Sequence, residues 1–344
     1  MWTGTKNITK FRMKKIGIIG GGILGLSIGY NLAKKKNFNV KLFEKENTIG
    51  AHQSGNNSGV LHCGLYYKPG SLKAKLAVNG IREMIKFCKD NKINFDQCGK
   101  LVVATTIQEK SVIESLANRG KKNGLKGLKF LNKKEQFLRE PNVNAIKSLL
   151  VPEEGIVDYG SVMKCFSDVI LENDGEIFLN SEVKKITNTK SNKILINTNQ
   201  NEYEFDLIVN CTGLFSDRVY NLATRKKRPL RIIPFRGEYM SIKKEFHHIV
   251  NHLIYPVPDP KYPFLGVHYT RMINGDREVG PNAVLAFKRE GYKNTDFSIY
   301  DLYDSIMYRG FTNFLLKNFK FASNEFLTSV LMSSFSKKAK KLIP

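Results

Sequence analysis

Apolar positions near the start of the chain change period twice. Ile16, Ile18 and Ile19 form a short β-rich run that predicts a buried parallel strand. Leu24, Ile28 and Leu32 then recur at helical spacing, and Phe38 to Phe43 returns to a strand ending in an acid, Glu44. Residues 45–71 carry no such period. They are rich in Gly, Asn, Ser and His, and are too long for an ordinary strand-to-helix connection.

Downstream, the pattern predicts a helix from Leu72 to Asn91 with Leu76, Ala77, Ile81, Met84, Ile85 and Cys88 on its apolar face. A strand at Lys100–Ala104, a helix at Gln108–Lys122, a strand at Leu128–Leu131 and a short helix ended by Pro141 follow. Leu149–Tyr159 reads as strand and turn, and Ser161–Glu172 as a helix. Strands are expected near Ile177, at Val183–Ile186 and at Ile194–Ile196. Asp206–Cys211 reads as a strongly buried strand entering a turn at Thr212–Gly213. Strand-like segments dominate from Leu230 to Phe287, and residues 299–337 read as helical and basic.

Between the first strand and helix, Gly20, Gly22 and Gly25 match G-x-G-x-x-G. Gly20 permits the tight turn, Gly22 lets backbone approach a pyrophosphate, and Gly25 lets helix and sheet pack closely. The helix N-terminus offers N–H groups to phosphate. Glu44 lies 19 residues after Gly25, where a carboxylate accepts hydrogen bonds from ribose hydroxyls. The whole strand–turn–helix–strand–acid order predicts a dinucleotide site and leaves FAD and NAD open.

This is therefore an α/β chain with a Rossmann-like dinucleotide domain and an α+β substrate domain built on a largely antiparallel sheet. The expected boundaries are residues 13–90 with 145–225 for the first, and 91–144 with 226–335 for the second. A ligand is expected at the domain interface.

Composition adds less. The chain has 344 residues, 42% of them hydrophobic, enough for a substantial core. Five scattered cysteines without metal spacing predict reduced thiols in a reducing compartment, and no metal site is expected. The formal charge of +24 comes mostly from lysine spread along the whole chain, without an aromatic-interleaved basic stripe. It reads as a solvated basic surface with weak attraction to anionic lipid, and no nucleic-acid partner is expected. No run of 18 apolar residues occurs. The compact start MKKIGIIGGG places the expected natural start at Met13, with residues 1–12 an extension.

At residues 52–76 the string HQSGNNSGVLHCGLYYKPGSLKAKL resembles the L-2-hydroxyglutarate oxidase/dehydrogenase family, FAD enzymes of the D-amino-acid-oxidase-like superfamily. The resemblance recurs in CGKLVVAT (98–105), EGIVDYG (154–160), NCTGLFSDRV (210–219), IPFRGEYM (233–240) and the long string from Leu253 to Tyr292. It implies FAD as cofactor and oxidation of L-2-hydroxyglutarate to 2-oxoglutarate, with quinone or dioxygen as electron acceptor. A cytoplasmic protein, peripheral on the inner membrane face, is the location that goes with it. A related amine or hydroxy-acid oxidase is the alternative, and an inactive shortened member another.

On this resemblance Gly20, Gly22, Gly25 and Glu44 take the ADP half of FAD, and Val183 meets adenine through main chain. Thr212 and Gly213 pass the pyrophosphate, and His52, Gln53, Ser54 and Ser58 lie along the flavin. The family continues with a glycine-rich turn and an N-A-P-S-P-like stretch beside the isoalloxazine, which residues 337–344 do not supply. Activity is expected to depend on that segment.

Oxidising an α-hydroxy acid needs a base at the hydroxyl and partners for two carboxylates. His62 and His268 are the candidate bases, since imidazole titrates near working pH. Arg236 and Arg271 are candidate carboxylate clamps, and Tyr66, Tyr67 and Tyr239 candidate hydroxyl donors. His247, His248 and His252 read as solvated, and Cys63 as filling space.

Overall fold

The computed structural model describes residues 13–226, 228–258, 266–318, 328–329 and 332–344. The expected extension at residues 1–12 lies outside them, as do residues 259–265 of the long family string and part of the basic end from Lys317 to Lys341. The chain divides into two units. One comprises the described residues up to Asn56 together with Tyr159–Ile232; the other comprises Asn57–Asp158 and the described residues from Ile233 onward.

The first unit is built on a four-stranded sheet whose pairings are all parallel. Its order is Leu207–Asn210, Lys14–Ile19, Phe38–Phe43, Glu176–Phe178. The helix Ile23–Ala33 connects the two central strands, as the glycine turn predicts. Its buried face differs from the expected stripe. Gly25, Leu26, Gly29 and Ala33 are buried, whereas Leu24 is 69% exposed. Small residues win this face because a Cβ on Gly29 would stand 2.6 Å from Ile170 Cδ1, on the neighbouring helix Tyr159–Glu172. An antiparallel sheet of Val183–Asn188, Ile194–Thr198 and Glu202–Phe205 completes the unit, with Val183, Ile186, Ile196 and Phe205 packed against Phe43. Leu207–Asn210 is less buried than its apolar run predicts, because it is an edge strand and Leu207 is exposed.

The second unit carries a seven-stranded sheet: Phe235–Ser241, Arg277–Leu285, His268–Arg271, Leu253–Pro256, Lys100–Ala104, Lys147–Val151, Lys129–Leu131. Every pairing is antiparallel except that of Leu253–Pro256 with Lys100–Ala104. A smaller antiparallel sheet joins Val60–Leu61, Gly155–Val157 and Phe95–Asp96. These short strands move the expected boundary. Residues 57–90 and 145–158 belong to the second unit, because Val60 pairs with Ile156 and Leu61 with Gly155. In the helix Leu72–Asp90 the buried residues are Ala74, Val78, Ile81 and Cys88, while Leu76 faces solvent. Ser71 caps this helix, its side chain accepting from the Ala74 N–H.

Candidate functional site

In the first unit the glycine turn has the geometry its sequence requires. Gly20 has φ +109°, and a Cβ there would lie 2.4 Å from the Cys211 carbonyl oxygen. A Cβ on Gly25 would lie 2.0 Å from the Gly20 carbonyl oxygen, so the helix approaches the turn as closely as backbone allows. Glu44 is buried at the end of its strand, with Oε2 accepting from the Gly21 N–H at 2.7 Å and Oε1 from the Glu46 N–H at 2.9 Å. Two main-chain donors thus hold the carboxylate beside the glycines.

The loop after Glu44 returns to this turn. Ser54 Oγ accepts from the Ile23 N–H at 2.9 Å, at the start of the glycine-turn helix. It also stands 3.0 Å from where a Gly22 Cβ would be, so glycine leaves room for it. His52 is paired with Glu46 at 2.8 Å, which holds the Glu46 carboxyl below its usual range. Gln53 Oε1 lies 2.8 Å from the position of a Gly213 Cβ, and Gly213 has φ +52°. Thr212 donates its hydroxyl to Asn210 Oδ1 at 2.7 Å. Val183 begins its strand two residues after Ser181, whose N–H donates to the Glu44 carbonyl at 2.7 Å. The fold therefore gathers Gly20, Gly22, Gly25, Glu44, Gln53, Ser54, Thr212 and Gly213 around one turn. Ser58 belongs to the second unit instead.

A glycine cradle without side chains, a helix N-terminus free of first-turn acids and an anchored carboxylate suit a pyrophosphate and an adenosine ribose. These residues fit the ADP half of FAD.

The second unit holds a different cluster. Glu154 is fully buried. Its Oε1 lies 2.8 Å from Lys100 Nζ, an ion pair rather than an aligned hydrogen bond, and Lys100 is fully buried as well. The Cys63 N–H and thiol approach the same oxygen at 3.3 and 3.2 Å. Glu154 Oε2 lies 3.2 Å from His62 Nδ1, and the His62 side chain is 47% exposed. The ammonium of Lys100 sits over the rings of Tyr66 and Tyr255, at 4.5 and 4.8 Å. Tyr255 stacks on His268 with ring centroids 3.9 Å apart.

Burial opposes the Glu154 charge, but Lys100 and then His62 outweigh it and hold the carboxyl far below its usual range. Burial likewise opposes the Lys100 charge, and Glu154 reverses it, holding the ammonium well above the usual range. Burial, then Glu154, pushes the Cys63 thiol up, so it is a neutral donor to the carboxylate and more than filler. Burial pushes the Tyr66 hydroxyl up to about 12.

The two candidate bases part here. His268 is 6% exposed and donates from Nδ1 to the Gly266 carbonyl at 3.0 Å, and burial pushes it down to about 3. His62 is accessible and tethered to a carboxylate. The two candidate clamps are already engaged. Arg236 pairs with Glu238 and donates to the Lys293 carbonyl, each at 2.9 Å, and also bonds Asn294. Arg271 pairs with Asp96 at 2.6 Å. Tyr239 stands across from Pro281 and Gly280, its ring filling the space a Gly280 Cβ would need. Tyr67 is exposed, with Lys73 Nζ 6.0 Å from its ring.

Of the three histidines read as solvated, His252 is not. Its Nδ1 and N–H both meet Glu140 Oε1, at 2.8 and 2.6 Å, and Glu140 is fully buried. His247 bonds the Ile242 carbonyl and His248 the Glu245 carbonyl, both at 2.9 Å. Sequence reasoning missed Lys100 and Glu154, although both lie in strings it singled out. A lysine heading the otherwise apolar run KLVVA was the available signal.

Fold and site together define an FAD-dependent oxidoreductase. The family described as DAO, FAD dependent oxidoreductase, matches residues 15–310. The chain is 44% identical to the L-2-hydroxyglutarate dehydrogenase of Indibacter alkaliphilus over 95% of this chain and 82% of that protein. It is 38% identical to the mitochondrial L-2-hydroxyglutarate dehydrogenase of Homo sapiens, over 95% of this chain and 73% of that one. Among solved structures, the dithionite-reduced L-α-glycerophosphate oxidase of Mycoplasma pneumoniae with FAD bound superposes with a TM-score of 0.71 at 26% identity, covering 79% of this chain and 72% of that one. The chain belongs to the L-2-hydroxyglutarate dehydrogenase family of FAD-dependent oxidoreductases.

Proposed function

We propose that this protein oxidises L-2-hydroxyglutarate to 2-oxoglutarate with FAD as cofactor, and that His62 is the base. Membership of the family supports the reaction, and the accessible imidazole of His62 beside a buried carboxylate supports the base. When bound, FAD accepts the hydride from C2 of the substrate. Gly20, Gly22 and Gly25 hold its pyrophosphate by main chain, Thr212 and Gly213 flank it, and Glu44 accepts from the ribose hydroxyls. Val183 meets the adenine, and His52, Gln53 and Ser54 line the path from the glycine turn toward the flavin.

The chain's part in the chemistry is proton handling. Nδ1 of His62 faces Glu154, so Nδ1 carries the proton and Nε2 is left to take the proton of the C2 hydroxyl. His268 is held neutral and serves through its stacking on Tyr255. Tyr66, whose ring lies against the Lys100 ammonium, belongs to this cluster, and Tyr239 is the further candidate hydroxyl donor.

Electrons leave to a quinone or to dioxygen. We place the protein in the cytoplasm, in peripheral contact with an anionic membrane. Five free thiols support the compartment. The net charge of +24, with exposed Ile299, Tyr300 and Tyr303 on the helix Ile299–Ile306, supports the contact. No helix among the described residues is long and apolar enough to cross a membrane.

The test is dye reduction by FAD-loaded protein. L-2-hydroxyglutarate should bleach the dye and yield 2-oxoglutarate while its D enantiomer does not, and flavin-loaded protein without turnover would overturn the reading. In His62→Gln, kcat should fall by a factor of about 100 or more; unchanged kcat would remove His62 from the role of base.

A further inference from the structure

We propose that Glu154 and Lys100 act as a positioning pair, Glu154 fixing the tautomer and aim of His62 and Lys100 keeping Glu154 ionised. This rests on His62 as the base. Three elements distant in sequence build the arrangement. Leu61 pairs with Gly155, which sets His62 beside Glu154, and the Gly99 N–H donates to the Glu154 carbonyl at 2.9 Å, which brings Lys100 alongside.

Stability alone gives little reason for such a pair. Taking both charges out of water costs several kcal/mol, and apolar replacements of a buried pair are often neutral or stabilising. Here the pair shares one carboxylate with an accessible imidazole. Glu154 Oε1 is occupied by Lys100 and by the N–H and thiol of Cys63, which leaves Oε2 for His62. His62 and Cys63 thus hydrogen-bond the carboxylate and Lys100 pairs with it as a cation. Tyr66 and Tyr255 close the far side of the ammonium with ring faces, and His268, neutral, backs Tyr255.

The consequence for the reaction follows from proton bookkeeping. The hydroxyl proton moves to His62 Nε2 while the C2 hydride leaves with the cofactor, and the Nδ1 proton stays on the ring. Glu154 takes no proton, because Lys100 holds it ionised. Its charge stabilises the imidazolium, and its direction keeps Nε2 outward.

Two measurements test the pair. In native protein the long-range nitrogen–proton spectrum of His62 should show the proton on Nδ1; the Nε2–H tautomer would overturn the proposal. This requires no substitution and no turnover. Second, the double variant K100M/E154Q removes both charges together and keeps volume, avoiding a lone buried charge. Its kcat should fall about 100-fold with KM little changed, and the acid limb of its kcat profile should move to lower pH. Wild-type kcat and acid limb in the double variant, beside a crippled His62→Gln, would overturn the pair alone. An active His62→Gln would instead overturn the base reading beneath it. If the double variant does not fold, the native tautomer decides.

Discussion

The glycine turn and the Glu154 cluster both depend on close polar contacts, yet they are assembled over different distances. From Lys14 to Glu44 the chain completes one strand–helix–strand unit, and the carboxylate returns to the Gly21 N–H only 23 residues away. His62, Lys100 and Glu154 come from three separate segments, with 92 residues between His62 and its carboxylate partner. The first arrangement is fixed by local backbone geometry, and a spacing rule captures it. The second exists only once two sheets have taken their registers.

That difference ranks the ways to disturb them. The largest effect is expected at Gly25→Ala, since the added Cβ would fall 2.0 Å from a backbone oxygen that cannot move without breaking the turn. A loss of about 3 kcal/mol or more is expected, together with loss of bound flavin. Thermal melting and the flavin absorbance of the purified variant check it. A yellow, stable Gly25→Ala protein would show that the turn is more plastic than its spacing implies.

The second unit carries a buried histidine that ties its stability to pH. His268 is pushed down to about 3 from an ordinary 6.5 by burial, so the unfolded chain binds its proton more tightly than the folded one. Its contribution is whole above about pH 6.5 and is lost as pH falls toward about 3, a penalty of up to about 5 kcal/mol. Glu154 is also held low, but its contribution begins to fade only below its ordinary value of 4.5. Between those two values His268 acts ahead of Glu154. Urea unfolding from neutral pH down to about pH 5 should therefore weaken the native protein by about 2 kcal/mol more than His268→Gln. Parallel decline of the two would mean that His268 is not held neutral.

The legibility of each element follows the same division. The strands at Lys14–Ile19, Phe38–Phe43 and Lys100–Ala104 were readable because an apolar run of strand length has few alternatives. Val60–Leu61 and Phe95–Asp96 were not, because two residues carry no period. The expected helix stripe at Leu24 failed because a face lined by Gly25 and Gly29 packs closer than one lined by leucine. Glu154 looked like a turn residue beside Gly155. Its burial depends on Lys100, and no local pattern announces a partner 54 positions away.

The smallest effect is expected at Arg271, and there the comparison turns on side-chain direction. Along the strand His268–Arg271 successive side chains point to opposite faces, so His268 and Thr270 share one face while Tyr269 and Arg271 share the other. His268 meets Tyr255, whereas the Tyr269 hydroxyl donates to the Ala339 carbonyl at 3.2 Å. Arg271 therefore shares the Tyr269 face and pairs with Asp96, both side chains about one-third exposed. Arg271→Lys keeps the charge and loses the planar fork. A substrate clamp would then show a KM raised tenfold or more, whereas an exposed ion pair costs about 1 kcal/mol or less and leaves KM alone. Because Arg271 is paired with Asp96, the second case is expected, with KM for L-2-hydroxyglutarate unchanged. A raised KM with unaltered melting would put the substrate on the opposite face of this strand, and His62 would then lose its claim as the base.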